Sequence, residues 1–297
     1  MGGGGQLDYP RGGGAPERGE GDVTAVHATI GGHEVGEGRP LLLIAGPCVL
    51  ESRAQALAHA RGVKALAERH RLPVIFKASF DKANRTSIAS FRGVGLEQGL
   101  AIFEAVKRET ALPCLTDVHE AWQAAEAARV VEVLQVPAFL CRQTDLVVAC
   151  ARHGRSVNVK KGQFMAPRDM RHVLAKCRGA GNGDVLLTER GASFGYGNLV
   201  VDLRSLVILR ELGAPVCFDA THSVQLPGAG GDASGGERQY VAPLARAAAA
   251  VGIDALFLEI HEDPAQAASD GPNSLDFAAA DRVLGEVLAV RRALGQP

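Results

Sequence analysis

PVIFKASFDKANRTSIASFRGVGLEQGLAIFEAVKRET, residues 73–110, contains a strand, a loop and a helix in that order. Val74, Ile75 and Phe76 make a short β-branched and aromatic run suited to a strand. Farther on, Leu96, Leu100, Phe103 and Val106 recur at three- and four-residue spacing, one face of a helix over 96–110. The stretch between them carries Lys77, Lys82, Arg85 and Arg92 against a lone Asp81, interleaved with Ser79, Asn84, Thr86, Ser87 and Ser90. Point charges, a bidentate guanidinium and small adaptable donors are what a loop needs to hold phosphate and hydroxyl groups. An isolated basic loop is more often a solvated surface, so the rest of the chain has to decide.

The same unit recurs along the whole sequence. Apolar strand runs are read at 41–45, 74–78, 114–118, 131–136, 156–159, 185–188, 216–220 and 255–260. Amphipathic helices follow at 53–69, 96–110, 121–128, 144–153, 167–178, 200–212, 239–251 and 275–294. Eight strand–helix units with little left over predict an α/β fold, a closed (β/α)8 TIM barrel. An open doubly wound sheet is the alternative, but no GxGxxG turn opens any of the helices. Residues 23–39 alternate weakly around Gly31-Gly32 and predict a short N-terminal β-hairpin. Residues 1–22 are glycine-rich and read as a disordered tail, leaving 23–297 as one catalytic barrel domain.

Composition narrows the function. The 297 residues are 46% hydrophobic and 22% charged, enough to bury a full core. Lysine plus arginine (32) nearly balances aspartate plus glutamate (33), so no overall field recruits nucleic acid or a membrane, and an anion site has to be local. Apolar runs are strand-length, no secretory signal is visible, and the six cysteines show no framework spacing. These features predict a cytoplasmic protein with reduced thiols.

In a barrel of this kind the active site is built at the carboxyl ends of the strands. Those ends read Gly46-Pro47-Cys48, Lys77, Asp117-Val118-His119, Gln135, Lys160-Lys161, Glu189-Arg190, Asp219-Ala220-Thr221-His222 and Glu259-Ile260-His261, whereas the opposite rim supplies mostly prolines and small residues. Lys77, Lys82, Arg85, Lys160 and Arg190 form a cationic set that would repel itself without anions between its members, implying a ligand with more than one phosphate or carboxylate. Cys48, His222 and Glu259 come from strands that neighbour one another once the barrel closes, and Asp270 follows in the next loop. A thiolate with an imidazole suits Zn²⁺, Fe²⁺ or Mn²⁺ better than Mg²⁺ or Ca²⁺. Spacing alone does not separate this from a buried inert thiol, the usual fate of a lone cysteine. The other five cysteines, Cys114, Cys141, Cys150, Cys177 and Cys217, read as buried or partly buried small hydrophobes, and His59, His70, His153 and His172 as surface or capping residues.

The motifs IAGPCVLES (44–52), FKASFDKANRTS (76–87), TDVHE (116–120), QVPAFLCRQTDL (135–146), VNVKKGQF (157–164), TERGASFGYGNLVVD (188–202) and FDATHSVQLPG (218–228) closely resemble the 3-deoxy-D-manno-octulosonate 8-phosphate synthases. The resemblance spans roughly 41–294. It implies condensation of phosphoenolpyruvate with arabinose 5-phosphate and water, releasing phosphate, on the route to lipopolysaccharide. It further implies that Lys82, Lys160 and Arg190 hold phosphoenolpyruvate, with Lys77, Ser79 and Gln135 lining the same cavity. Asn84, Arg85, Thr86 and Ser87 would grip the sugar phosphate, and Asp117 a sugar hydroxyl. Members of the metal-requiring class carry cysteine at the position of Cys48, so Cys48, His222, Glu259 and Asp270 are implied as ligands of a divalent transition metal. A homotetramer is implied as well. The general base stays open between His119, Asp117 and the ion. Two rivals remain at this stage: the related synthase acting on erythrose 4-phosphate, which typically has lysine-proline-arginine where this chain has KANR (82–85), and a non-catalytic phosphosugar-binding barrel.

Overall fold

The computed structural model describes residues 26–85, 87–230 and 233–297. The expected tail at 1–22 and Thr86 lie outside the described residues. Eight parallel strands close into a barrel: β3 (Leu42–Gly46), β4 (Val74–Lys77), β5 (Cys114–Asp117), β6 (Val133–Val136), β7 (Ser156–Lys160), β8 (Val185–Glu189), β11 (Val216–Asp219) and β14 (Ala255–Glu259), with β14 between β11 and β3, while β12 (Gln225–Gly230) and β13 (Ala233–Gly236) pair with each other outside it. Helices α1 (Arg53–His70), α2 (Leu96–Thr110), α3 (Ala121–Ala127), α4 (Thr144–His153), α5 (Met170–Gly179), α6 (Arg204–Glu211), α7 (Val241–Val251) and α8 (Phe277–Ala293) follow the strands.

The period-2 alternation of the strands sorts their side chains into two cores. Leu43, Ala45, Phe76, Leu134 and Leu258 belong to the larger one, between sheet and helices. Leu42, Ile44, Ile75, Leu115, Val133, Leu186, Cys217, Ala255 and Phe257 form the smaller one in the lumen. Full burial of such side chains contributes roughly 1.5–3 kcal/mol each.

The N-terminal hairpin, β1 (His27–Ile30) paired with β2 (His33–Gly36), adds Ala28, Ile30 and Val35 to the lumen core and closes the amino end of the barrel. Gly31 N–H donates to Ser156 Oγ at 3.1 Å and Thr29 N–H to Asp184 Oδ1 at 2.8 Å, so the plug is tied to two barrel strands' starts. A Cβ at Gly31 would sit 2.7 Å from the Ile75 side chain, and its φ of +59° favours glycine in any case.

The expected helix at 200–212 begins later. Leu199–Val200 (β10) pairs antiparallel with Ala192–Ser193 (β9), and α6 starts only at Arg204 after Asp202 accepts from its N–H. The apolar run Val200-Val201 therefore belongs to a loop ribbon, not to the helix. The amino rim is also more polar than its prolines suggest. Asp254 accepts from Arg210 and from Val216 N–H, and Arg291 donates to the Ile253 carbonyl, holding the ends of β11, β14 and α8 together.

Candidate active site

Two residues beyond the last apolar lumen residue of five strands, on the same face, the chain turns polar. Ile75 is followed by Lys77, Leu115 by Asp117, Val133 by Gln135, Cys217 by Asp219 and Phe257 by Glu259. This layer floors a cavity of about 300 Å³ at the carboxyl end, walled by Lys77, Lys82, Asn84, Arg85, Asp117, His119, Gln135, Lys160, Arg190, His222 and Asp270. Gly46 permits the close approach of β3 to β4 there, since a Cβ on it would lie 2.0 Å from the Lys77 carbonyl oxygen.

The cations are not left facing only one another. Lys77 Nζ is 2.6 Å from Glu259 Oε1, Lys160 Nζ is 2.6 Å from Asp219 Oδ2, and Lys82 Nζ is 4.0 Å from Asp117 Oδ2. Lys160 also stands over the Phe257 ring, 3.8 Å from its centroid. The inference that a bound anion must relieve the repulsion is thus corrected, because interleaved carboxylates offset much of it. Burial disfavours the Lys82 ammonium, yet Cys48, Glu259, Asp117 and Asp270 around it raise its pKa above the ordinary value. Burial likewise opposes the Asp117 carboxylate, but Lys82, Lys77 and Lys160 hold its pKa well below the usual range. Arg190 Nη1 and Arg85 Nη2 are buried without a hydrogen-bond partner among the described residues, two guanidinium edges free to meet anions.

Beside this wall, ligand atoms of Cys48, Glu259 and Asp270 lie within 4.8 Å of one another. Cys48 Sγ is 3.1 Å from Asp270 Oδ2, and His222 Nε2 is 3.3 Å from Glu259 Oε1 and 3.7 Å from Asp270 Oδ2. His222 Nδ1 is bonded to Asp219 Oδ2 at 2.7 Å, which fixes the ring so that Nε2 is the nitrogen turned to the acidic cluster. Glu259 Oε2 is buried and unpartnered among the described residues. Asp270 has a φ of +52°, a strained conformation that places its carboxylate beside Cys48 while its carbonyl accepts from Ser274. Burial, then Asp270 and Glu259, push the Cys48 thiol pKa up; a cation among these groups is what would reverse that and yield a thiolate. The donor set fits a divalent transition metal.

Most residues singled out in the sequence converge. Three do not sit as expected. Ser79 lies beneath the cavity, donating to Asp117 Oδ2, and does not line it. Ser87 Oγ accepts from Ala89 N–H inside the loop and is likewise not part of the wall. His59 is not a surface residue: it is 1% exposed, with Nδ1 at 2.8 Å from the Gln55 carbonyl and Nε2 accepting from Glu262 N–H. Polar side chains at this site were also passed over in the sequence. Asp219 was read only as a strand end, although it binds both Lys160 and His222. Gln163, two residues beyond Lys161, lines the cavity with a buried, unpartnered Oε1 among the described residues. Its place in VNVKKGQF, just after a strand end, was the available signal.

The DAHP synthetase I family model matches residues 23–292. A 2-dehydro-3-deoxyphosphooctonate aldolase of a Synechococcus species is 57% identical over 278 residues, covering 93% of this chain and 98% of that protein. Proteins of the same name from Cyanothece (57% identical; 88% of this chain, 95% of the relative) and Trichlorobacter lovleyi (55%; 88% and 96%) are similar over nearly their whole lengths. The chain belongs to the DAHP synthetase I family and, within it, to the 3-deoxy-D-manno-octulosonate 8-phosphate synthases, which also carry the name 2-dehydro-3-deoxyphosphooctonate aldolase.

Proposed function

We propose that this chain condenses phosphoenolpyruvate with D-arabinose 5-phosphate and water, giving 3-deoxy-D-manno-octulosonate 8-phosphate and inorganic phosphate for lipopolysaccharide precursor synthesis. The observation that carries the reading is one cavity at the carboxyl end of the barrel, walled by Lys77, Lys82, Arg85, Lys160 and Arg190, which abuts the Cys48–His222–Glu259–Asp270 cluster. Lys82, Lys160 and Arg190 bind the phosphate and carboxylate of phosphoenolpyruvate, with Lys77 and Gln135 beneath. Arg85 and Asn84, with Thr86 next in the sequence, bind the sugar phosphate, and Asp117 accepts a hydrogen bond from a sugar hydroxyl. Holding both anions among fixed cations overcomes their mutual repulsion and orients the enol carbon toward the aldehyde. As that carbon–carbon bond forms, water adds to the second carbon of phosphoenolpyruvate, and the hemiketal phosphate then expels phosphate. Negative charge develops where lysine and arginine donors already point, so no reorganisation is needed. His119 is suited to accept the water's proton, because burial lowers its pKa, keeping the ring neutral, and its Nδ1 is buried without a protein partner among the described residues.

Cys48, His222, Glu259 and Asp270 are the residues that would hold a divalent transition metal, Zn²⁺, Fe²⁺ or Mn²⁺. When bound, it would supply Lewis acidity, either to orient a carbonyl oxygen or to lower the pKa of a water. Cytoplasmic residence belongs to the same reading; among the described residues no helix is long and apolar enough to cross a membrane. So does a homotetramer, supported by Ile88, Phe139, Phe164, Phe194 and Tyr196, all exposed at the carboxyl end of the barrel. Its solution mass is then expected near four times 31.1 kDa. The test is release of phosphate from phosphoenolpyruvate. Release that requires arabinose 5-phosphate, and is not supported by erythrose 4-phosphate, is expected. Release with the four-carbon sugar instead, or none with either, would overturn it.

A further inference from the structure

We propose that Asn158 and Thr188 are positioning residues for this site: a one-way string of hydrogen bonds running through them around the lumen fixes the Gln135 amide and, through it, the Asp117 carboxylate. The inference rests on the reading of Asp117 as the group that meets the sugar.

Asp117 receives Gln135 Nε2 at Oδ1 and Ser79 Oγ at Oδ2. An ionised carboxylate only accepts, so Gln135 has to present its NH₂ group there and turn its carbonyl the other way. That carbonyl meets Asn158 Nδ2 at 2.8 Å. Asn158 has then only its own carbonyl left for the next strand, and Thr188 Oγ1 donates to it at 2.5 Å. Direction is therefore dictated from strand to strand, β8 to β7 to β6 to β5, and reversing any amide sets donor against donor or acceptor against acceptor. Register makes the string possible, since Asp117 lies opposite Gln135 and Gln135 opposite Asn158.

Packing does not call for these groups. Two residues lower on the same faces, β6 and β8 fill the lumen with Val133 and Leu186. Asn158 and Thr188 are both 0% exposed, and neither lines the cavity, whereas Gln135 and Asp117 do. Polar side chains placed there at a desolvation cost, all satisfied and all pointing one way, orient what lies at the end of the string.

Thr188→Val removes the donor at nearly constant volume, Thr188→Ser keeps the hydroxyl and loses only a methyl, and Asn158→Asp replaces a donor with an acceptor. Expected are a fall in kcat/KM for arabinose 5-phosphate of about tenfold or more in Asn158→Asp and about threefold or more in Thr188→Val, with Thr188→Ser within about twofold of wild type. A second readout needs no turnover: in protein labelled at glutamine side chains, the Gln135 Nε2 resonances should shift in Thr188→Val and not in Thr188→Ser. Thr188→Val indistinguishable from Thr188→Ser in both readouts would overturn the proposal, as would Asn158→Asp, folded, with wild-type kinetics. Absence of condensation by the wild type would instead overturn the assigned reaction, and the glutamine resonances would still report on the string.

Discussion

Cys48 and Arg85 are the two residues whose removal separates the halves of the site. Cys48→Ala takes away the one sulfur donor of the cluster, and protein purified without added metal should then hold well under one equivalent of transition metal by elemental analysis, against about one for wild type. Treating the wild type with a chelator should abolish turnover, and Zn²⁺, Fe²⁺ or Mn²⁺ should restore it. Arg85→Ala leaves a phosphate without its guanidinium, a charged hydrogen bond of about 1.5–3 kcal/mol. The KM for arabinose 5-phosphate should rise by about 10- to 100-fold while that for phosphoenolpyruvate stays near wild type. Steady-state kinetics with each substrate varied in turn checks the split. At this scale the sequence identified the cations and the four candidate ligands because each lies at a strand end or in the loop that follows one. It could not show their pairing. Lys77 with Glu259 joins residues 182 positions apart, and Asp219 acquires meaning only when Lys160 and His222 close on it.

Among the elements, α1 illustrates how local signals and tertiary contacts share the work. Ser52 caps it, its Oγ accepting from Gln55 N–H at 3.1 Å, and Ala56, Ala60, Val63 and Ala67 bury its inner face. Ser52→Ala should lower stability by about 1 kcal/mol in denaturant unfolding without changing either KM. Periodicity predicted this helix within a residue at its end, because the cap and the apolar stripe are both local. His59, on the same helix, was misread. Its burial depends on the loop after β14, where Glu262 N–H reaches it across 203 residues. The start of α6 failed for a related reason, since Leu199–Val200 found a partner strand that hydropathy alone does not reveal. Asn158 and Thr188 stayed unread because one or two polar residues in an apolar strand carry no signal until their neighbours are known.

Across the whole molecule, the cysteines report on how completely the barrel is filled. All six are free and buried. Burial raises the thiol pKa of Cys177 to about 11, so at pH 8 about one molecule in a thousand carries the thiolate there, and the fraction grows only as pH climbs toward that value. Cys114, Cys150 and Cys217 are pushed up further, again chiefly by burial. Native protein at pH 8 should therefore react with a thiol-specific disulfide reagent at none of these four over minutes, and at all six cysteines in denaturant. The eight-fold repeat of strand and helix made the global architecture legible, since short apolar strands alternating with helices bury both faces of a parallel sheet and eight such units suit a closed barrel. The hairpin that stops the amino end has one further consequence. Among the described residues the lumen is a cul-de-sac, so substrates, phosphate and the eight-carbon product share the doorway at the carboxyl end. Whatever settles deepest goes in first and comes out last, and a lingering product at the threshold bars the next round for both substrates at once.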